Sequence, residues 1–160
     1  MKNKAWIIFA FAMTFALGYA LSQAVDAKTA DAPKVGRVTG IGGVFFKCQD
    51  PGKVKEWYNA HLGFSTDKYG VNFEWWENPD SSKKGSTQWG PFKETTKYFE
   101  PSTKQFMINY RVDDLASLVN QLRKDSVTIV DTLETYDYGK FIHIMDIEGN
   151  KIELWEAIDN

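Results

Sequence analysis

The sequence predicts a single α+β domain over residues 38–158, built from two copies of one strand–helix–strand–strand–strand (βαβββ) unit. The 160 residues are 43% hydrophobic and 15% aromatic, enough apolar material for one core. A fixed offset carries Val44 onto Ile108 and Asp50 onto Asp114, which indicates an internal repeat. In each copy, three short strand candidates follow a helix candidate.

The first unit spans about residues 38–92. Gly42–Asp50 alternates β-branched and aromatic residues with small or polar ones, which predicts a strand. Asp50 suits a helix N-cap, Pro51 suits the first helical position, and Gly63 suits the end of that helix. The three strands predicted after the helix are about Ser65–Tyr69, Val71–Trp76 and Ser86–Phe92.

The second unit spans about residues 105–158 and follows the same order. A strand begins at Phe106, and a helix with apolar positions from Leu115 to Leu122 follows Asp113 and Asp114. The three strands predicted next are about Val127–Leu133, Lys140–Met145 and Lys151–Glu156. The polar stretch Lys93–Lys104 is expected to be a loop between the units.

The N-terminal residues have the pattern of a targeting segment. Lys2 and Lys4 precede the uncharged apolar stretch Ala5–Leu21, and small residues then offer cleavage sites after Ala20, Ala24 or Ala27. The pattern predicts a signal peptide over residues 1–27 and export to the periplasm or the medium, with residues 28–37 as a flexible lead-in. An uncleaved membrane anchor is the alternative, although a span needs roughly 20 apolar residues.

Charge and cysteine content restrict the partners. The formal net charge is −2 and no basic patch is visible, so nucleic acid is not an expected partner. Cys48 is the only cysteine of the sequence, which excludes an internal disulfide and a cysteine-based metal site.

Three segments carry a resemblance to a known family: Gly43–Asp50, Met107–Asp114 and Tyr138–Glu156. Together they resemble the vicinal oxygen chelate superfamily, which includes glyoxalase I, extradiol dioxygenases and the bleomycin- and fosfomycin-resistance proteins. The resemblance implies paired βαβββ modules that form a half-barrel around a cavity, and it implies a homodimer. It does not fix the chemistry, because this fold hosts enzymes and simple binders alike.

The same resemblance places the metal ligands of the family at Gly43, near Thr87, at Met107 and at Glu153. Only Glu153 carries a good donor for zinc, iron or nickel, which want three or four nitrogen, oxygen or sulfur donors. We therefore expect no metal and no other cofactor. The alternative is a metal-dependent lyase or dioxygenase that recruits Glu74 or Glu77.

Because side chains alternate across a strand, the four ligand positions also identify which other residues of each strand face the cavity. If Met145 pairs with Lys151, His143 lies opposite Glu153. The residues predicted to bind a substrate are Phe45, Thr87, Trp89, Met107, Asn109, Arg111 and Trp155. Apolar walls with a few convergent polar groups are typical of a small-molecule site.

His143 and Glu153 are the candidate catalytic residues, because a carboxylate beside an imidazole can orient it for acid/base chemistry. The alternative is a plain cross-strand contact. Arg111 could clamp a substrate carboxylate or phosphate, or could form a salt bridge with Asp113, Asp114 or Glu153.

Three hypotheses for function follow. The first is an exported, metal-independent glyoxalase-like protein that binds a small organic molecule and acts on it through His143 and Glu153. The second is a sequestering protein of the bleomycin-resistance type, in which no bond is broken. The third is a structural or partner-binding domain whose own aromatic side chains fill the cavity.

Overall fold

The computed structural model describes residues 35–76 and 83–158. The predicted signal peptide, most of the lead-in and Glu77 lie outside these residues. The described elements are β1 (Val38–Cys48), α1 (Pro51–Leu62), β2 (Val71–Trp76), β3 (Lys84–Lys93), β4 (Phe106–Val112), α2 (Leu115–Lys124), β5 (Glu134–Tyr136), β6 (Gly139–Met145) and β7 (Lys151–Ala157).

The strands form one open seven-stranded mixed sheet in the order β2-β3-β1-β4-β7-β6-β5. In the first module β1 pairs with β3 in parallel, and in the second module β4 pairs with β7 in parallel. The two modules meet where β1 pairs with β4 in the antiparallel sense. This duplicated pairing confirms the predicted α+β fold and its repeat.

Two predicted strands are wrong. Ser65–Tyr69 is not a strand, because the Asp67 side chain accepts the backbone N–H groups of Tyr69 and Gly70 and so forms a turn. Val127–Leu133 contributes only an isolated bridge between Ile129 and Ile144, and the short strand β5 lies after it.

Both helices begin as their capping residues predict. The Asp50 side chain accepts the N–H of Lys53, and that of Asp114 accepts the N–H of Ser117. At the end of α1, Gly63 has a φ of 70°, a left-handed conformation that glycine adopts without steric cost.

The fully buried aliphatic core lies under α2. It is made of Val112, Leu115, Val119, Ile142, Ile144 and Leu154. No residue of α1 is fully buried, and that helix instead contacts the sheet through half-buried aromatic rings, such as Tyr58 against Trp89 at 4.6 Å between ring centroids. Neither of the two described helices is long and apolar enough to span a bilayer.

Candidate functional site

A cavity of about 840 Å³ lies against the sheet, and most of its polar lining comes from the second module and the loop that precedes it. Its walls combine aromatic rings with carboxylate, imidazole, amide and ammonium groups. The lining residues are Gly42, Phe45, Tyr69, Gln88, Phe92, Lys97, Tyr98, Asn109, Asp131, Glu134, Tyr136, Tyr138, Phe141, His143, Lys151, Glu153 and Trp155.

The β6–β7 hairpin positions the two candidate catalytic residues. Met145 pairs with Lys151, and His143 therefore lies directly opposite Glu153, as predicted. His143 Nε2 lies 3.3 Å from Glu153 Oε2. Both residues are buried, at 7% and 4% exposure, so their interaction is poorly screened by solvent.

Glu153 accepts hydrogen bonds from two residues, one in a loop and one on β4. Tyr98 Oη donates to Oε2 at 2.5 Å, and Asn109 Nδ2 donates to Oε1 at 2.9 Å. Burial by itself raises the pKa of Glu153, but the contact with His143 and the hydrogen bonds from Asn109 and Tyr98 together outweigh it and lower the pKa below its ordinary value. Glu153 is thus held as a carboxylate.

Asp131 holds His143 from the other side. Its Oδ1 accepts the backbone N–H of His143 at 2.8 Å, and its Oδ2 lies 2.6 Å from Nδ1 of the same residue. Because a carboxylate only accepts hydrogen bonds, Nδ1 carries the proton in this contact and Nε2 is the nitrogen that faces Glu153. The imidazole therefore lies between a buried carboxylate and a half-exposed one.

The loop between the modules closes this network. Tyr98 lies in that loop, stacks on Phe92 at 5.6 Å and meets the His143 ring edge-on at 5.4 Å. Burial raises the pKa of the Tyr98 hydroxyl well above its usual range, and the charge of Glu153 raises it further, so the phenol stays a donor. Lys151 Nζ donates to the Tyr98 carbonyl oxygen at 2.7 Å and ties the loop to β7.

Twelve of the lining residues were not predicted, and three of them, Tyr98, Asp131 and Lys151, belong to the hydrogen-bond network around His143 and Glu153. One signal for Tyr98 was present in the sequence, because the two aromatic residues Tyr98 and Phe99 interrupt an otherwise polar loop. Aromatic residues in such a loop indicate that it packs on the protein, and Phe99 is completely buried. Asp131 lies in the segment Val127–Leu133, which was predicted to be a strand; it instead precedes β5 and contacts His143 from an irregular segment, which no strand period predicts.

Of the nine predicted site residues, the structure places five in the cavity lining: Phe45, Asn109, His143, Glu153 and Trp155. The placement of Thr87 and Trp89 on the inner face is wrong. Thr87 Oγ1 donates to the Ile41 carbonyl at 2.6 Å, and Trp89 packs under α1. Gly43 pairs with Gln88 rather than with Thr87, so the residues of β3 that face the cavity are one position away from those predicted. A shift of one residue exchanges the two faces of a strand.

Met107 and Arg111 do not line the cavity either. Met107 is completely buried in the protein interior. The Arg111 guanidinium lies over the ring of Trp155 at 5.0 Å and over that of Trp75 at 5.9 Å, so it packs between aromatic side chains rather than facing the cavity.

Two consecutive glycines shape the floor of the site. The pairing of β1 with β4 is irregular between Ile41 and Gly43. A Cβ on Gly42 would overlap Asn109 Oδ1, and a Cβ on Gly43 would lie 2.6 Å from the ring of Phe45. The bulge therefore turns both glycines toward the cavity side, whereas strand alternation predicted only Gly43 there.

The four positions that hold the metal ligands of the resembling family do not fit a divalent cation here. Gly43 has no side chain, Thr87 points away and Met107 is a buried thioether. Both oxygens of Glu153 already accept hydrogen bonds. Within residues 35–76 and 83–158, no three His, Cys, Asp or Glu side chains are grouped to hold a metal ion.

Comparison with known proteins identifies the family of the fold. The sequence profile described as Glyoxalase/Bleomycin resistance protein/Dioxygenase superfamily matches residues 40–154. No curated protein matches the chain in sequence.

Among solved structures, the chain is similar to methylmalonyl-CoA epimerase from Mycobacterium tuberculosis, with 20% identity and a TM-score of 0.53 over 79% of this chain and 93% of that one. It is also similar to a Streptomyces coelicolor methylmalonyl-CoA epimerase in complex with 2-nitronate-propionyl-CoA, with 15% identity and a TM-score of 0.58 over 76% and 99%. At these identities the likeness establishes the fold alone.

Proposed function

The chain belongs to the Glyoxalase/Bleomycin resistance protein/Dioxygenase superfamily, and from this premise we propose that it binds a small organic molecule in its cavity and acts on it by acid/base chemistry at His143. The observation that carries the proposal is the Asp131–His143–Glu153 arrangement, with His143 and Glu153 buried, in the wall of an 840 Å³ cavity. A histidine held between two carboxylates at a concave surface is typical of a proton-transfer site.

Each member of the arrangement has a separate role in the proposal. Asp131 is the positioning residue that keeps the proton on Nδ1 and fixes the ring. His143 is the group that takes or returns a proton, and Glu153, whose Oε2 lies 3.3 Å from Nε2, stabilises the imidazolium. Tyr98 and Asn109 hold Glu153 in place, so that it does not rotate away when the ring changes charge.

The proposal does not use a metal. Its support is the chemistry of the donor set: of the four family positions only Glu153 offers a good donor for a divalent cation, and Tyr98 and Asn109 already bond to its oxygens. Glu74, the described alternative ligand, lies exposed on β2 with Lys84 Nζ 3.4 Å from its carboxylate.

A ligand screen followed by a single substitution tests the proposal. Small organic molecules are screened by thermal shift and by tryptophan fluorescence, since Trp155 lines the cavity and any ligand of the native state raises stability. For a molecule that is converted, His143→Ala should lower kcat by roughly 10²–10⁴-fold. His61→Ala, which removes the other histidine of the chain from exposed helix α1, is the matched control and should leave kcat unchanged.

A sequestering protein is the second candidate, favoured by the extensive aromatic lining and by the hydrogen bonds that already occupy Glu153. In that case His143→Ala retains most of the affinity and no bound molecule is chemically changed. If no molecule raises the melting temperature at all, both candidates are wrong and a structural or partner-binding role remains.

We also propose export and dimerisation, which rest on the signal-peptide pattern of residues 1–27 and on the family resemblance. Cell fractionation with mass spectrometry of the N-terminus should find a mature chain that starts after Ala20, Ala24 or Ala27, in the periplasm or the medium. Light scattering on the mature protein should give twice the chain mass; a monomer at high protein concentration would contradict the dimer.

A further inference from the structure

We infer that the cavity takes an organic cation: a protonated nitrogen carried on a flat or apolar carbon frame. This inference rests on the proposed function, since it names the class of molecule that the same cavity binds. It comes from two groups of residues at one side of the cavity, an aromatic wall and two accessible carboxylates, and from the placement of the nearby cationic side chains.

The aromatic wall consists of Tyr136, Tyr138, Phe141 and Trp155, which lie on β5, β6 and β7 and the turn between the first two. Tyr136 and Tyr138 stack at 5.4 Å with an interplanar angle of 5°, and Phe141 stacks on Trp155 at 5.9 Å and 9°. Tyr136 and Tyr138 are 44% and 61% exposed, so ring surface is available to a ligand. The faces of such rings attract both apolar groups and cations.

Two carboxylates stand beside this wall. The Asp131 side chain is 41% exposed, and each of its oxygens accepts one hydrogen bond from His143, which leaves a further lone pair on each. Glu134 is exposed and accepts the Tyr136 hydroxyl at 2.5 Å, which orients the carboxylate against the wall. Carboxylates only accept hydrogen bonds, so the matching ligand group is a donor, and the strongest match is a charged N–H donor.

The cationic groups around the cavity do not offer an equivalent site for an anion. Lys151 is only 6% exposed, and its Nζ donates to the Tyr98 carbonyl. Arg111 packs between two tryptophan rings outside the lining. Both ring nitrogens of His143 face carboxylates. Among the cavity-lining cations Lys97 alone is exposed, so one accessible ammonium stands against two accessible carboxylates.

Three probes of nearly the same shape test the inference: 2-phenylethylamine, 2-phenylethanol and 3-phenylpropanoate, which are cationic, neutral and anionic at pH 7. Affinity is measured by tryptophan fluorescence and calorimetry at about 0.05 and about 0.15 M salt, where screening differs. The amine should bind about tenfold more tightly than the alcohol, as expected for a charge-assisted hydrogen bond with cation–π contact, and the anion should bind most weakly.

Glu134→Gln removes one wall carboxylate without touching the residues that hold His143. It should lower the affinity for the amine by about tenfold and leave the affinity for the alcohol unchanged. Glu148→Gln, in the exposed turn between β6 and β7, removes the same charge outside the cavity lining and should change neither affinity.

The outcomes separate this inference from the proposed function. Equal binding of the three probes, tighter binding of the anion, or an amine affinity that survives Glu134→Gln overturns the cation inference while small-molecule binding stands. Failure of all three probes, when other molecules raise the melting temperature, also overturns it. Failure of every molecule in a broad thermal-shift library contradicts the proposed function itself.

Discussion

On β1 and β3 of the first module, Phe45 pairs with Gly90, whereas at the corresponding point of the second module Asn109 pairs with Glu153. In the first pair the phenyl ring lies against the glycine, where an added Cβ would be 3.1 Å from Phe45 Cδ1. In the second pair an amide donates to a buried carboxylate at 2.9 Å. The same backbone pairing thus supports an apolar contact in one module and a charged one in the other.

The packing under the two helices also differs between the modules. Helix α2 covers a fully buried aliphatic core, whereas α1 covers half-buried aromatic rings. A buried charge must be compensated by hydrogen bonds in fixed geometry, and a rigid, well-packed support keeps that geometry. We conclude that the second module combines the more completely buried support with the polar network and the aromatic wall, while the first module contributes Phe45 and Phe92 to the lining.

The largest expected effect on stability tests the difference in burial between the two helices. Leu115→Ala on α2 removes a side chain with 0% exposure and should cost roughly 2–5 kcal/mol of unfolding free energy, because it leaves a cavity. Leu62→Ala on α1, where the side chain is 56% exposed, should cost no more than about 0.5 kcal/mol. Urea denaturation measures both. Equal losses would show that α1 supports its module as firmly as α2.

Tyr98→Phe tests the polar network and should have an intermediate effect on the free energy of unfolding. It removes the hydroxyl that donates to the buried Glu153 carboxylate, and hydrogen bonds to charged groups contribute roughly 1.5–3 kcal/mol. Tyr69→Phe, at a lining tyrosine that is 67% exposed, is the matched control and should stay within about 0.5 kcal/mol of the parent. A neutral result for Tyr98→Phe would mean that the network does not stabilise the fold.

The acid stability of the protein gives the smallest and most specific effect. Burial opposes ionisation of Glu153, but its hydrogen bonds leave the folded pKa below the ordinary value of 4.5. The unfolded chain therefore binds the proton more readily. The resulting stability is present above pH 4.5 and is lost as the pH falls through the lower folded pKa. Denaturation between pH 3 and pH 7 should show this loss.

Glu153→Gln should reduce the pH dependence, at the cost of lower stability at neutral pH, because Gln cannot accept from both Tyr98 and Asn109 with the same geometry. Glu148→Gln, in the exposed turn, should leave the acid dependence of the parent in place. If Glu153→Gln has the same acid dependence as the parent, another group is responsible for the acid loss.

Local patterns predicted most of the fold and part of the site. The repeat predicted both modules, the capping residues Asp50 and Asp114 predicted both helix starts, and strand parity across the last hairpin predicted that His143 faces Glu153. These features depend on residues close in sequence or on one regular hairpin. The errors have two separate causes: a bulge in the β1–β4 pairing at Gly42 turns that glycine toward the cavity, and Gly43 pairs with Gln88 rather than Thr87, which puts Thr87 and Trp89 on the opposite face.

Periodicity and capping act through neighbouring residues, so the sequence predicts the fold, its duplication and the pairing of His143 with Glu153. The bonds from Tyr98 to Glu153 and between Asp131 and His143 follow from the folded structure and not from any sequence pattern. The folded structure also places Arg111 between two tryptophan rings, away from the cavity. Tyr98 lies 55 residues from Glu153, and Asp131, although only 12 residues from His143, contacts it from an irregular segment. No strand or helix period encodes such contacts, and they form only when loop and sheet pack together.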